Sequence, residues 1–260
     1  MRTGKPGVLQ INIVLATFIR KIIYMGSKLL AYFDDFISLI YPRLCYACGN
    51  SLFLNEEILC TRCQMSLPLT GSHLTAENPV SKVFWGRMTV EAAAARYFFR
   101  KGNNIQHLLH NLKYRNVPEI GIFIGRMYGR ELMENEVFRS VDVIIPVPLH
   151  KDKQKKRGYN QAGVFARGLG LGMHKPVDEV SLYRTYFTES QTRKSRFSRW
   201  ENVKMVFAVK EGSQLAGKHI LLVDDVITTG ATLEGCASKL MDLPDVKISI
   251  AAIAVAARVV

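Results

Sequence analysis

The sequence predicts an α/β protein, a mainly parallel sheet flanked by helices with a small four-cysteine knuckle on its N-terminal side. Ile220-Leu221-Leu222-Val223 is an unbroken apolar run, two of its residues β-branched, as in strands buried on both faces. Val141-Asp142-Val143-Ile144-Ile145 has the same character and ends at Pro146-Val147-Pro148, giving a second parallel strand. The pairs Cys45-Tyr46-Ala47-Cys48 and Cys60-Thr61-Arg62-Cys63 use four of the five cysteines at metal-ligand spacing.

Val8 to Ile19 opens the chain as an apolar run of twelve residues, interrupted by Asn12 and Thr17 and followed by Arg20-Lys21. It is too short to cross a bilayer, and no A-x-A-like cleavage site precedes the charges. Residues 1–25 read as an extension, with membrane association as the minor reading. From Lys28 to Ile40, the positions of Leu29, Leu30, Phe33, Phe36, Ile37 and Ile40 predict an amphipathic helix leading into the cysteines. Thiolates from two C-x-x-C turns can surround one zinc tetrahedrally, and Gly49 permits the tight turn after the first pair. Two disulfides, a redox-active pair and an iron–sulfur cluster are the alternatives. Disulfides need an oxidising compartment, and the chain has neither a convincing secretory signal nor a cysteine-rich composition. Structural zinc in a cytoplasmic protein is the expectation.

Pro, Thr, Gly, Ser and Asn accumulate over Leu67 to Pro79, which separates an N-terminal unit of residues 26–78 from the α/β domain of residues 79–260. Thr89 to Phe99 is alanine-rich and ends in aromatics, a pattern that fits either strand or helix. Asn103 to Tyr114 reads as a helix capped by Asn103 or Asn104, with Lys113 near its end. Lys151, Lys153, Lys155, Lys156 and Arg157 form a strongly positive loop after the second strand. Asp178 to Leu182, Met205 to Val209 and Ile248 to Val255 are further strands. Ala231 to Leu240 is a helix with Leu233, Cys236, Ala237 and Leu240 toward the core, so Cys236 reads as a small buried residue rather than a nucleophile.

The strand Ile220 to Val223 should deliver Asp224 and Asp225 to its carboxyl edge, where ligands sit in open α/β sheets. Thr228 and Thr229 then offer hydroxyls, Gly230 lets backbone amides approach an anion, and Ala231-Thr232 begins the helix at its positive end. Paired carboxylates beside an anion site suit a ligand that also carries neutral hydroxyls, as a sugar phosphate does. The bland alternative is an ordinary strand-to-helix turn with a solvated acid pair.

These thirteen residues, Ile220 to Thr232, resemble the ribose-phosphate fingerprint of the type I phosphoribosyltransferases. The resemblance implies that Asp224 and Asp225 take the ribose hydroxyls of phosphoribosyl pyrophosphate (PRPP). Thr228, Thr229, Gly230, Ala231 and Thr232 would take its 5′-phosphate. It also implies a type I phosphoribosyltransferase-like sheet, and magnesium accompanying PRPP. A cysteine knuckle ahead of such a domain resembles the ComF family, bacterial proteins associated with DNA uptake in natural competence. Tyr41-Pro42-Arg43-Leu44-Cys45, Leu112-Lys113-Tyr114-Arg115, Pro146-Val147-Pro148-Leu149-His150 and Arg157-Gly158-Tyr159-Asn160-Gln161 look like that family's signatures. So do Gln191-Thr192, Arg199 and Asn202 ahead of Phe207, and the likeness runs from about residue 27 to 258 in one order, which implies Met25 as an alternative initiator. It implies a pyrophosphate loop at Val147, Pro148, Leu149 and His150, a place for Lys113 in the PRPP site, and a helicase-like competence protein as a neighbour.

A formal net charge of +13 adds long-range attraction to polyanions of any kind. Lys151, Lys153, Lys155, Lys156 and Arg157 then have three readings: a cover over PRPP, a nucleic-acid contact, or a solvated basic loop. Arg193, Lys194, Arg196 and Arg199 alternate with Phe197 and Trp200, which suits single-stranded DNA as well as an amphipathic helix packed on the body. Two functions follow. One is phosphoribosyl transfer, with Asp224, Asp225 and Arg157 as the catalytic candidates, as in nucleotide metabolism or salvage. The other is a DNA-handling module of the uptake pathway whose pocket binds PRPP or a related ribose phosphate. A third use, the knuckle as a protein-docking surface, stands beside them. Glutamine hydrolysis is excluded, because it needs a nucleophilic cysteine and four cysteines are assigned to metal.

Overall fold

The computed structural model describes residues 42–185 and 206–257. The extension of residues 1–25, the amphipathic segment Lys28 to Ile40 and the basic stretch with Arg193, Lys194, Arg196 and Arg199 lie outside the described residues. So do Gln191, Thr192, Asn202 and Met205. In chain order the strands are β1 (Ala92–Phe99), β2 (Val143–Pro146), β3 (Leu182–Arg184), β4 (Phe207–Val209), β5 (His219–Ile227) and β6 (Lys247–Ala256). The helices are α1 (Thr61–Ser66), α2 (Pro79–Lys82), α3 (Asn104–Tyr114), α4 (Glu119–Leu132), α5 (Glu136–Arg139), α6 (Lys151–Arg157), α7 (Gln161–Met173) and α8 (Ala231–Leu240).

Four strands form one parallel sheet in the order β1-β6-β5-β2, as the β-branched apolar runs predict. β5 is the best-buried part: Ile220 and Leu222 face one core, Leu221 and Val223 the other, and all four are fully buried. Burying each such side chain stabilises the fold by about 1.5–3 kcal/mol. One core lies under α3, α4, α7 and the cysteine knuckle. The opposite core lies under α2, α8 and the β3–β4 hairpin. The alanine-rich segment settles as strand β1. Alanine's preference for helix is overridden because Ala92 to Ala95 pair with Ser249 to Ala252 and are buried on both faces.

Two helices that the sequence reading passed over make a very close contact among the described residues. On α4, Gly121, Gly125 and Gly129 recur every four residues, and on α7 Gly168 and Gly172 do the same. A Cβ on Gly125 would lie 2.7 Å from the Leu169 nitrogen, and one on Gly172 would lie 2.5 Å from the Arg126 carbonyl oxygen. The helices therefore touch backbone to backbone, a distance that only glycine permits.

Two expectations need correction. The basic segment after β2 is not a loop but the helix α6, begun by His150 as N-cap and stopped by Gly158 in the left-handed region at φ +81°. Lysine, glutamine and arginine are good helix formers, and the last-turn Lys155, Lys156 and Arg157 suit the negative end of the helix. The strand expected at Asp178 to Leu182 instead occupies Leu182–Arg184. Asp178 closes a turn, its Oδ1 accepting from the Val180 and Ser181 amides at 2.9 Å each. That strand pairs antiparallel with β4 in a separate hairpin, outside the parallel sheet.

Candidate functional site

Because the sheet is parallel, β1, β2 and β5 end at the same edge, and a cleft of about 600 Å3 opens there. Lys113, Val147, Pro148, Leu149, Lys153, Arg157, Asp224, Asp225, Thr228 and Thr232 all line it. Thr229, Gly230 and Ala231 complete the turn after β5 but do not line the cleft, and neither do Lys155 and Lys156, which are exposed on α6. His150 is held as the N-cap of α6, its Nδ1 accepting from the Asp152 amide at 3.2 Å.

Strand geometry sends adjacent side chains to opposite faces, so the two acids have different neighbours. Asp225, buried, meets Lys113 Nζ of α3 at 3.0 Å. Asp224, half-buried, accepts from the Asp225 amide at 2.8 Å through Oδ1. Burial first, and the Asp225 carboxylate second, push the Asp224 carboxyl up to about 7. A floor with one paired carboxylate and one that holds its proton near neutrality accepts polyol hydroxyls and does not repel an anion as two free carboxylates would.

The turn after β5 leads into α8 through Gly230, whose φ of +76° disfavours any side chain. Packing reinforces this, since a Cβ there would lie 2.8 Å from the Phe84 ring and 3.1 Å from Val83. Lys153 and Arg157 stand four residues apart on α6, and that helix periodicity, which sequence reading missed, puts both on one face, toward the cleft.

The stretch Arg157 to Gln161 fixes the loop after β2. Arg157 Nη1 donates to Gln161 Oε1 at 2.7 Å, and its guanidinium lies 5.4 Å from the Tyr114 ring centre. Asn160 caps α7 and donates through Nδ2 to the Val147 carbonyl at 2.9 Å. Tyr159 donates to the Leu112 carbonyl, tying the same stretch to α3. Arg184 of β3, absent from the sequence reading, also lines the cleft. Its only sequence signal is a cation ending a short apolar strand. Cys236 is fully buried on α8 and its thiol is pushed well up by burial, as a core residue.

The four sulfurs of Cys45, Cys48, Cys60 and Cys63 lie within 4.8 Å of one another and are placed to hold one metal ion. Cys48 and Cys60 stand 3.7 Å apart, so the cysteines are free thiols rather than disulfides. Gly49 takes φ +77° after the first pair, and the second pair opens α1, with Cys60 as its N-cap. Burial raises Cys45, but the amides of Cys60, Cys48 and Ala47 outweigh it and bring the thiol to about 7. Glu56 staples the loop between the pairs, accepting from the Phe53 amide at 2.8 Å and from the Thr61 amide at 2.6 Å. Helix α3 joins knuckle and cleft: Asn111 Nδ2 donates to the Tyr46 carbonyl at 3.0 Å, two residues before Lys113.

Among the described residues no helix is long and apolar enough to cross a membrane. The phosphoribosyl transferase domain family matches residues 124–259. The DNA utilization protein YhgH of Escherichia coli K12 is 29% identical over 219 residues, covering 78% of this chain and 92% of that protein. Competence protein F of Haemophilus influenzae is 28% identical over 199 residues, covering 73% and 86%. Competence protein ComFC of Bacillus subtilis is 34% identical over 100 residues, covering 38% of each. Among solved structures, glutamine PRPP amidotransferase from B. subtilis aligns with 54% of this chain and 30% of its own, at 20% identity and a TM-score of 0.37. The chain belongs to the phosphoribosyl transferase domain family and, with its four-cysteine knuckle, is a ComF family protein.

Proposed function

We propose that this ComF protein acts in DNA uptake by binding PRPP, or a related ribose phosphate, in the cleft and single-stranded DNA on its basic surface. The observation that supports this best is the convergence of Asp224, Asp225, Thr228 and Thr232 with Val147, Pro148 and Leu149 on one cleft, flanked by Lys113, Lys153 and Arg157. In this reading Asp224 and Asp225 accept from ribose hydroxyls, and Thr228 to Thr232 hold the 5′-phosphate with the start of α8. Val147, Pro148 and Leu149 face the pyrophosphate, His150 caps the helix beside them outside the cleft lining, and Lys153 and Arg157 counter the ligand's charge. Magnesium, carried on the PRPP oxygens, would neutralise the ligand further. The knuckle holds structural zinc in this reading, and its neighbours in the cell include a helicase-like competence protein.

The experiment is calorimetric titration with PRPP and magnesium, using wild type and an Asp224→Ala/Asp225→Ala double variant. Wild-type binding that the double variant loses supports the reading, and a folded, metal-loaded wild type that does not bind PRPP overturns it. The second reading is an active phosphoribosyltransferase of nucleotide metabolism. It is favoured by the exposed Tyr114 ring at the cleft, a surface on which an acceptor base can stack. Release of pyrophosphate in the presence of a base separates the enzyme from the ligand sensor.

A further inference from the structure

Arg87 lies between α2 and β1, far in sequence from the turn after β5, and is not part of the cleft lining. Its Nη1 nevertheless donates to the Thr229 carbonyl at 2.6 Å and to the Val83 carbonyl at 3.2 Å. Its Nη2 meets the Glu234 carboxylate of α8 at 2.5 Å. Phe84 and Val83, from the same short segment, press on Gly230. One segment thus grips the turn at a carbonyl, at a glycine and at the first turn of the helix that follows.

Two physical consequences follow from this grip. A trans peptide is planar with its C=O and N–H pointing opposite ways, so fixing the Thr229 carbonyl on Arg87 aims the Gly230 N–H away from Arg87. Glu234 sits in the first turn of α8, where the helix dipole favours a carboxylate but where that carboxylate opposes an incoming anion. The guanidinium cancels that charge beside the turn. We propose that Arg87 is a positioning residue for the sugar-phosphate end of the cleft, orienting the Thr229–Gly230 peptide and neutralising Glu234 so that the turn can accept a phosphate. The proposal rests on the ribose-phosphate reading of the cleft.

The test is calorimetry with two probes, ribose 5-phosphate and inorganic pyrophosphate, on wild type, Arg87→Ala, Arg87→Lys and Arg87→Ala/Glu234→Gln. Arg87→Ala is expected to weaken ribose 5-phosphate about tenfold and leave pyrophosphate unchanged, since the loop after β2 is untouched. Arg87→Lys keeps the charge and loses the fork, so its affinity falls between the two. Adding Glu234→Gln to Arg87→Ala recovers part of the loss, which a general loosening of the fold would not do. Ribose 5-phosphate affinity in Arg87→Ala within twofold of wild type overturns the proposal, as does a parallel loss of both probes. Absence of recovery in the double variant removes the charge-cancelling role. A wild type that binds no ribose 5-phosphate overturns the ribose-phosphate reading itself, and this proposal with it.

Discussion

The cysteine knuckle draws its four sulfurs from residues 45–63, whereas the cleft draws its lining from residues as far apart as Phe99 and Thr232. In the knuckle, short turns, a cap and the Glu56 staple set the geometry within one local stretch. At the cleft the parallel sheet does that work, bringing the ends of β1, β2 and β5 to one edge, while α6 and β3 supply cations from the side. A local site stands or falls with its ligand, and an assembled site stands or falls with packing elsewhere. Helix α3 is the point where the two meet, Asn111 holding the knuckle and Lys113, two residues on, reaching the cleft.

The sharpest test of this contrast removes the metal. On the proposed zinc reading, wild type carries one zinc per chain by elemental mass spectrometry and Cys60→Ser/Cys63→Ser loses it, together with the stabilisation of about 10–16 kcal/mol that structural zinc gives small peptide sites. The variant should also lose amide-exchange protection over residues 45–63 and at the start of α3. Protection that survives metal loss would mean that the shared core of Leu59, Ile105 and Leu108 holds the knuckle without a ligand.

A second test strikes the assembled site from a distance. Gly125→Val puts a side chain into the backbone of α7, next to Phe165 and Leu169, and should cost about 3 kcal/mol. Thermal unfolding should move down by about 6–12 °C, with cleft affinity reduced although no cleft residue has changed. An unchanged melting temperature would show that the two helices can part without penalty.

The third test uses pH. Burial and Asp225 hold the Asp224 carboxyl at about 7 in the fold, against an ordinary value of 3.8. The native state therefore keeps a proton that the unfolded chain releases, and this stabilisation is full below about pH 4 and is lost as pH rises through 7. With solvent reaching the cleft, the loss is on the order of 1 kcal/mol. Denaturant midpoints measured across this range should fall with pH in wild type and fall less in Asp224→Asn. Equal slopes would place the titration elsewhere.

The smallest effect belongs to the staple. Glu56→Ala removes the acceptor for two loop amides and should lower the denaturant midpoint only slightly. Its signature is faster exchange at Phe53 and Thr61 with the cleft unaffected, which sharpens the separation of local from assembled.

Residues whose neighbours in sequence are also their partners in space were legible beforehand. The strand before Asp224, a helix cap at Asn103 or Asn104, the turn at Gly49 and the helix after Gly230 are of this kind. The misreadings share the opposite property. Charge alone predicts a loop at Lys151 to Arg157, although its residues favour helix and Gly158 ends it. The glycines of α4 and α7 carry no message until two helices are set side by side. Arg87 and Arg184 look like any surface arginine in the sequence, since what distinguishes each lies across the fold.

By itself the sequence determined the parallel α/β class, the four-cysteine knuckle and the acid-and-threonine turn, because apolar periodicity, ligand spacing and glycine at positive φ are local requirements. Only the tertiary structure decided that Lys113 pairs with Asp225, that Lys153, Arg157 and Arg184 share the acids' cleft, and that Arg87 grips the turn. Each of those relations is a distance between segments widely separated in sequence, and such distances are fixed by how the two cores pack on the sheet rather than by any short stretch of chain.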